Sequence, residues 1–158
     1  MDLIKRLARR GVQRVLHTMN RLWRPLTMGV RAMAIDEENR VFLVRHSYLP
    51  GWHLPGGGVE PGETVLKSLE RELEEEGNIV LDGEPELLGL YFNATVSERD
   101  HVAVYLTRAF HQTAPRGADL EIVETGFFPI DALPEGATRA TRARVAEVFG
   151  GAKRSEIW

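Results

Sequence analysis

The chain has 158 residues, enough for one domain with its own core, and its 43% hydrophobic and 27% charged residues are ordinary for a folded protein. Cysteine is absent, which excludes disulfide scaffolds, thiolate zinc sites and cysteine catalysis. The formal net charge of −3 excludes a polycation built for nucleic acid, and no apolar run is long enough for a membrane-spanning helix.

The first predicted element is a basic amphipathic helix over residues 1–26. Its apolar positions recur at spacings of three and four, and Arg24-Pro25 should end it because the residue before proline avoids helical dihedrals. Residues 1–31 carry eight Lys or Arg and one Asp, whereas the remaining 127 residues carry 12 basic and 22 acidic side chains. Arginines interrupt the apolar positions throughout, which argues against a secretory signal.

Three roles stay open for this helix. Its apolar face can pack on the domain or on a second copy of the chain in a homodimer. Its positive charge also suits weak attachment to an anionic membrane surface or a contact with the phosphates of RNA. The charge contrast with the rest of the chain predicts that the two parts do different work.

Short apolar runs replace the helical period after residue 26. Strands are predicted over 28–35, 41–45, 87–94, 101–110 and 121–130. The stretch 50–62 is rich in glycine and proline and predicts a structured loop, because Trp52 and Leu54 can anchor it. Helices are predicted over 64–76 and 138–149. This mixture predicts an α/β fold with helices on the faces of a mixed sheet.

The helix over 64–76 concentrates negative charge near its end, where five of seven residues are glutamate. Glu72, Glu75 and Glu76 share one face, which borders the apolar stripe that turns toward the core. Like charges at these spacings repel by roughly 0.2–0.5 kcal/mol per pair, and acids near a helix C-terminus oppose its dipole. The face is either a solvated acidic surface or a site for Mg²⁺ or Mn²⁺, which take carboxylate, water and phosphate oxygens.

The loop before this helix favours the cation site. Gly56-Gly57-Gly58 allows dihedrals and close backbone approach that side chains forbid. A phosphate can therefore come near backbone N–H groups there, and a carbonyl can turn toward a metal. A glycine loop that leads into clustered carboxylates predicts phosphate and metal chemistry more strongly than either feature alone.

These residues resemble the signature of the Nudix hydrolase family (MutT-like). That signature has glycine, five residues, glutamate, seven residues, and then Arg-Glu-apolar-any-Glu-Glu-any-Gly-apolar. Eight of its nine specified positions match over residues 57–79: Gly57, Glu63, Arg71, Glu72, Leu73, Glu75, Glu76 and Ile79. Asn78 replaces the last glycine, and because Asn also tolerates left-handed dihedrals we expect it to end the helix in the same way.

The resemblance covers residues 27–150 as one domain and leaves 151–158 as a C-terminal tail. Segments 52–57 and 127–134 also resemble those that flank the signature in the family. The resemblance implies an α/β/α sandwich with a mixed sheet, and metal-dependent hydrolysis of a pyrophosphate bond in a nucleoside diphosphate linked to another moiety. In that reaction water attacks phosphorus, with Mg²⁺ or Mn²⁺ as the cofactor.

The resemblance also implies roles for individual residues. The metal ligands that it implies are Glu72, Glu75, Glu76 and the carbonyl of Gly57. One of the three glutamates acts partly as a base. Glu63 and Arg71 are expected to form a structural pair that fixes the loop to the helix.

Residues outside the signature are assigned from their chemistry. An acidic residue from a later loop often joins the site in this family, and the candidates here are Asp119, Glu121 and Glu124. Glu121 is preferred as a catalytic residue, although a half-exposed strand shows the same alternation. The candidates for stacking on a nucleobase or holding phosphates are Arg45, Trp52, Tyr91 and Arg99. Residues of these types also commonly serve the core or the solvated surface.

The leading hypothesis is a cytoplasmic enzyme that acts on a small nucleotide derivative. Nucleoside triphosphates, sugar nucleotides, ADP-ribose, dinucleoside polyphosphates and 5′-capped or triphosphorylated RNA all stay open as substrates. The alternative is a non-catalytic Nudix-fold module that binds a nucleotide or has a regulatory role. Degenerate signature glutamates would favour this alternative, and none is degenerate here. A membrane-associated or subunit-tethered scaffold governed by the N-terminal helix is a third hypothesis.

Overall fold

The structure is a computed structural model, and it describes residues 26–158. The helix predicted over 1–26 lies outside the described residues, apart from Leu26. The elements are β1 (Thr27–Ala34), β2 (Arg40–His46), α1 (Val65–Gly77), β3 (Ile79–Leu81), β4 (Glu86–Phe92), β5 (Asp100–Thr107), β6 (Phe110–Gln112), β7 (Ile122–Pro129) and α2 (Arg139–Phe149). Neither of these two helices is long and apolar enough to cross a membrane.

The strands pair in both directions. β5 lies at the centre of a three-stranded sheet, parallel to β1 on one side and antiparallel to β4 on the other. β2 pairs antiparallel with β7, and β3 with β6, in two further ladders. The predicted α/β fold with mixed strand pairing is confirmed, and the mixed pairing is found in the sheet of β1, β5 and β4.

Strand β1 separates two layers of the core, because successive side chains of a strand point to opposite faces. One face packs with the fully buried Leu69 and Leu73 of α1, each of which contributes about 1.5–3 kcal/mol by leaving water. The other face, which includes Met33, packs with Val145 of α2. A helix therefore covers each side, as the α/β/α sandwich requires. Arg31 interrupts the apolar sequence of β1.

The segment 101–110, predicted as one strand, contains two. β5 ends at Thr107, the exposed Arg108 and Ala109 redirect the chain, and β6 begins at Phe110. β6 then pairs with β3, a strand that the sequence pattern does not predict because three residues are too few for a periodic signal. The other predicted strands and both helices lie within two residues of the observed bounds.

Residues 151–158, expected as a tail, pair with the edge of the sheet. The Phe92 N–H donates to Glu156 O at 2.8 Å, and the Trp158 N–H donates to Phe92 O at 3.0 Å. The Trp158 ring also meets Tyr91 edge-on, with 6.0 Å between the ring centroids. These contacts occupy backbone groups at the end of β4, which would otherwise form part of an open sheet edge.

Candidate active site

Both ends of α1 are capped. At the N-terminus, Thr64 Oγ1 accepts the Lys67 N–H at 3.2 Å. At the C-terminus, Asn78 is left-handed with a φ of 52°, and its N–H donates to Glu74 O at 3.0 Å. Asn78 thus ends the helix in the conformation expected of the glycine that it replaces. These caps and the buried apolar stripe fix which face of α1 turns away from the core.

The acidic face of α1 opens into a cavity of about 430 Å³. Residues from the signature that line it are Gly57, Glu72, Glu75 and Glu76. Glu121 joins them from the segment before β7. Glu72 and Glu76 are each 9% exposed, whereas the side chain of Glu75 is 60% exposed. The rotation of the helix therefore buries two carboxylates and leaves the third near solvent.

Glu76 is held by the backbone of the glycine loop. The Gly56 N–H donates to Glu76 Oε2 at 2.7 Å, and His46 Nε2 lies 3.4 Å from Glu76 Oε1. Burial disfavours the charged form of both side chains, so it raises the pKa of Glu76 to about 7 and lowers the pKa of His46 to about 4. A carboxylate has about four acceptor positions, so Glu76 keeps capacity for a further partner.

Arg71 connects three carboxylates with the loop. Its Nε and Nη2 donate to the two oxygens of Glu63 at 3.0 and 3.2 Å, which brings the predicted pair together. Its Nη1 donates to Glu72 Oε1 at 2.7 Å and to Glu75 Oε2 at 3.2 Å. Its Nη2 also reaches Gly58 O at 3.2 Å. Arg71 therefore reduces the repulsion among the glutamates while it binds the loop.

The glycine loop approaches the carboxylates too closely for side chains. A Cβ atom on Gly57 would overlap the carboxylate of Glu72. Gly56 has a φ of +137°, and a Cβ atom there would overlap Val30 O. The Gly57 carbonyl accepts the Val30 N–H at 2.9 Å, which leaves its second lone pair for another partner.

The three late acidic candidates lie in different surroundings. Glu121 lines the cavity. Glu124 instead forms an ion pair of 2.7 Å with Arg45, which faces it across the ladder of β2 and β7. Asp119 forms an ion pair with Arg116. Of these three residues only Glu121 lines the cavity, and its catalytic role stays a prediction.

The structure does not bring the predicted substrate-binding residues to this cavity: none of Arg45, Trp52, Tyr91 and Arg99 lines it. Trp52 is 7% exposed and packs on Phe128, and Tyr91 is 2% exposed. Burial of large rings stabilises the core, and it takes both side chains away from the site. Arg45 lies over the Trp52 ring, 5.6 Å from its centroid, and Arg99 occupies the turn before β5. Their contact with substrate stays a prediction.

Two further arginines reach the site, although the sequence pattern did not single them out. By position Arg31 belongs with the basic N-terminal segment, yet it lies in β1 and donates to Leu54 O at 3.0 Å and to Gly56 O. Arg116 lines the cavity and donates from Nε to Glu75 O at 2.9 Å. A charge inside the apolar run of β1 is the signal for Arg31. The loop around Arg116 has no periodic pattern that would mark it.

The donor chemistry of the cavity suits a hard cation. Three signature glutamates and Gly57 line it, and Mg²⁺ and Mn²⁺ prefer carboxylate and carbonyl oxygen donors. Among residues 26–158, no three His, Cys, Asp or Glu side chains converge in positions to hold a metal ion. Arg71 and the Gly56 N–H bind the carboxylate oxygens instead.

Comparisons with known proteins agree with this arrangement. The MutT NUDIX hydrolase from Burkholderia pseudomallei has a similar structure, with a TM-score of 0.67 and 32% identity over 78% of this chain and 98% of that chain. The 8-oxo-dGDP phosphatase NUDT18 of Homo sapiens is 30% identical over 122 residues, which cover 72% of this chain and 36% of that protein. The RNA pyrophosphohydrolase of Legionella pneumophila (strain Corby) is 40% identical over 63 residues, which cover 39% of this chain and 35% of that protein.

The chain spans about a third of the length of these two curated relatives. The model of the NUDIX domain family matches residues 25–149, which is most of this chain. That match includes residues 57–79, which carry the signature, and the segments that shape the cavity. The resemblance found in the sequence is thereby confirmed, and the chain belongs to the NUDIX domain family.

Proposed function

We propose that this chain is a metal-dependent pyrophosphohydrolase that cleaves a pyrophosphate bond in a nucleoside diphosphate linked to another moiety. The observation that carries the proposal is one cavity that gathers Gly57, Glu72, Glu75, Glu76 and Glu121. Buried carboxylates with perturbed pKa values in a concave site are typical of catalysis or ligand binding. Nudix hydrolases generally need divalent metals such as Mg²⁺ or Mn²⁺, and the oxygen donors here suit those ions.

The groups that would hold Mg²⁺ or Mn²⁺ are Glu72, Glu75, Glu76 and the carbonyl of Gly57. When bound, such an ion supplies positive charge for the phosphate oxygens and lowers the pKa of water. Arg71 binds Glu72 and Glu75 through Nη1 alone, while Nε and Nη2 bind Glu63. Arg71 can therefore release the two ligand carboxylates and still fix the loop to the helix.

The protein's own side chains would move the proton and orient the substrate. We assign Glu121 as the general base, because this residue lines the cavity and a carboxylate can accept a proton from the attacking water. The water oxygen forms a bond to phosphorus while the bond from phosphorus to the bridging oxygen breaks, and the leaving phosphate keeps that electron pair. Arg116, on the wall of the same cavity, attracts the negative phosphates.

A nucleotide derivative is the substrate class that the relatives support. One relative is named an 8-oxo-dGDP phosphatase and another an RNA pyrophosphohydrolase. A cavity of about 430 Å³ lies within the range of small-molecule sites, about 300–1,000 Å³. We therefore propose a small nucleotide derivative rather than a long nucleic acid as the substrate.

The proposal is tested by a turnover panel on the full chain with Mg²⁺ or Mn²⁺. The panel contains nucleoside di- and triphosphates with and without 8-oxoguanine, sugar nucleotides, ADP-ribose, dinucleoside polyphosphates and triphosphorylated RNA. We expect a phosphate-containing product from at least one compound, and its loss with a chelator or in Glu72→Gln. Glu124→Gln is the matched control, because Glu124 pairs with Arg45 outside the cavity. Nucleotide binding without release from any compound would contradict the proposal and identify a non-catalytic binding module.

A further inference from the structure

Strand β1 holds the loop before α1 through its carbonyl groups. The four consecutive carbonyls of residues 54–57 accept hydrogen bonds from residues 30–32. The pairs are Val30 N with Gly57 O at 2.9 Å, Ala32 N with Pro55 O at 2.9 Å, and Arg31 Nη1 with Leu54 O at 3.0 Å and with Gly56 O. Backbone and side-chain donors therefore alternate along the loop, and one guanidinium group supplies half of the bonds.

The two carbonyls that Arg31 binds flank the peptide group that binds Glu76. The N–H of that peptide group belongs to Gly56 and donates to Glu76 Oε2 at 2.7 Å. Arg31 fixes the preceding peptide group through Leu54 O and the following one through Gly56 O. Fixing both neighbours holds the two Cα atoms of this peptide group. Its rotation is set by the Ala32 N–H, which donates to Pro55 O on the same planar group.

The charge of Arg31 acts on the same carboxylates. Burial lowers the pKa of Arg31, and the negative charges of Glu76 and Glu72 oppose that effect. The pKa of Glu76 is raised by burial and is held down in turn by the Gly56 N–H and by Arg31. A fixed cation beside the loop therefore offsets the clustered negative charge before any metal binds.

We infer that Arg31 is a positioning residue of this site: it holds residues 54–57 so that the Gly56 N–H orients Glu76 and Gly57 borders the cavity. The inference rests on the proposed function and adds a residue to it. Arg31 does not line the cavity, so it acts through the loop rather than on the substrate.

The test compares Arg31→Gln and Arg31→Lys with the wild type, and uses Arg40→Gln as the control because Arg40 binds Asp36 rather than the loop. Three quantities are measured on the full chain. They are the hydrogen-exchange rate of the Gly56 amide in metal-free protein, the Mg²⁺ concentration that produces half of the rise in melting temperature, and kcat.

In Arg31→Gln we expect the Gly56 amide to exchange at least tenfold faster, the Mg²⁺ midpoint to rise at least tenfold and kcat to fall about 100-fold. Amides in the centre of β5 should keep their protection, which shows that the fold is intact. Arg31→Lys keeps the charge but presents one ammonium group to both carbonyls, so its values should lie between those of the wild type and Arg31→Gln. Arg40→Gln should match the wild type.

Wild-type amide exchange and a wild-type Mg²⁺ midpoint in folded Arg31→Gln would overturn the inference, even if kcat falls, because Arg31 would then act on the substrate directly. If Arg31→Gln does not fold, wild-type values of both quantities in Arg31→Lys overturn it. A wild-type chain that hydrolyses nothing contradicts the proposed function alone, since amide exchange reports on Arg31 without turnover.

Discussion

The two helices of the described chain each bury a glutamate, but the two glutamates differ in how fully they are satisfied. Glu147 on α2, whose side chain is 4% exposed, accepts bonds from Arg144 Nη2 at 2.7 Å, the Tyr91 hydroxyl at 3.0 Å and the Ser155 N–H at 2.9 Å. Glu76 on α1 accepts one bond from a backbone N–H and faces a cavity.

The difference distinguishes a carboxylate that stabilises the fold from one that has acceptor positions left for a ligand. A buried ion pair with its remaining acceptor positions filled holds neighbouring elements in one arrangement, and losing either partner is costly. A buried carboxylate with acceptor capacity left and a raised pKa is destabilising in the unliganded protein. Such a group is tolerated where a bound cation or substrate completes its surroundings, which is the case we propose for Glu76.

The largest effect is expected from breaking the buried ion pair of Arg144 and Glu147 on α2. Arg144→Met leaves Glu147 buried without its cation, so the free energy of unfolding should fall by about 3–5 kcal/mol. The Mg²⁺-induced rise in melting temperature should stay at its wild-type size, because the pair lies on the other helix. Urea unfolding measures the free energy of unfolding, and melts with and without Mg²⁺ measure the rise in melting temperature. A loss below about 1 kcal/mol would show that the pair is not structural.

A change at Glu76 should act on activity and metal binding rather than lower the stability of the metal-free protein. Glu76→Gln removes a charge that burial disfavours, so the metal-free protein should be as stable as the wild type or more so. Activity should fall at least 100-fold, about 2.7 kcal/mol of activation free energy, and Mg²⁺ should protect less against heat. Glu74→Gln, at an exposed position of the same helix, is the control. Unchanged activity in Glu76→Gln would remove this carboxylate from the mechanism.

A smaller effect on kcat should distinguish Glu121, just before β7, from Glu124 within it. Glu121→Gln should lower kcat about tenfold, about 1.4 kcal/mol, because this residue lines the cavity. Glu124→Gln should be milder, since it loses an exposed ion pair with Arg45 of about 0–1 kcal/mol. Steady-state rates and melting temperatures of both variants decide this. Equal, near-wild-type rates would exclude Glu121 as the base.

The smallest effect on chemistry should come from the basic N-terminal segment. Deletion of residues 1–24 should change kcat only a few-fold, because the residues of the cavity lie outside it. We expect the deletion to alter molecular mass, solubility or surface attachment instead. Light scattering and kcat of the truncated chain test this. A fall of more than about 100-fold in a folded truncation, about 2.7 kcal/mol, would make this segment part of the active site.

The signature helix could be predicted from sequence because its determinants are local. The N-cap Thr64, the C-cap Asn78 and the apolar stripe lie in one continuous segment, and its observed bounds differ from the predicted ones by one residue. The shared face of Glu72 and Glu76 follows from the helical period alone. What each of these two buried glutamates binds depends on the loop packed against them.

The features that the sequence did not reveal depend on contacts between distant segments. The carbonyls that bind Arg31 come 23 and 25 residues later, so its place inside the apolar run of β1 marks it as unusual but does not reveal what it binds. Aromatic chemistry predicts substrate contact for Trp52 and Tyr91, but the same rings also suit a core, and packing decides between the two.

The three glycines of the loop set different limits on a mutant library. A side chain at Gly56 or Gly57 collides with the Val30 carbonyl or the Glu72 carboxylate, whereas a Cβ atom on Gly58 meets nothing within 4 Å. A side chain at position 56 would therefore distort the loop, whereas one at position 57 would displace the carboxylate of Glu72. Position 58 can accept new side chains next to the site, which makes it the entry point for laboratory evolution of this loop.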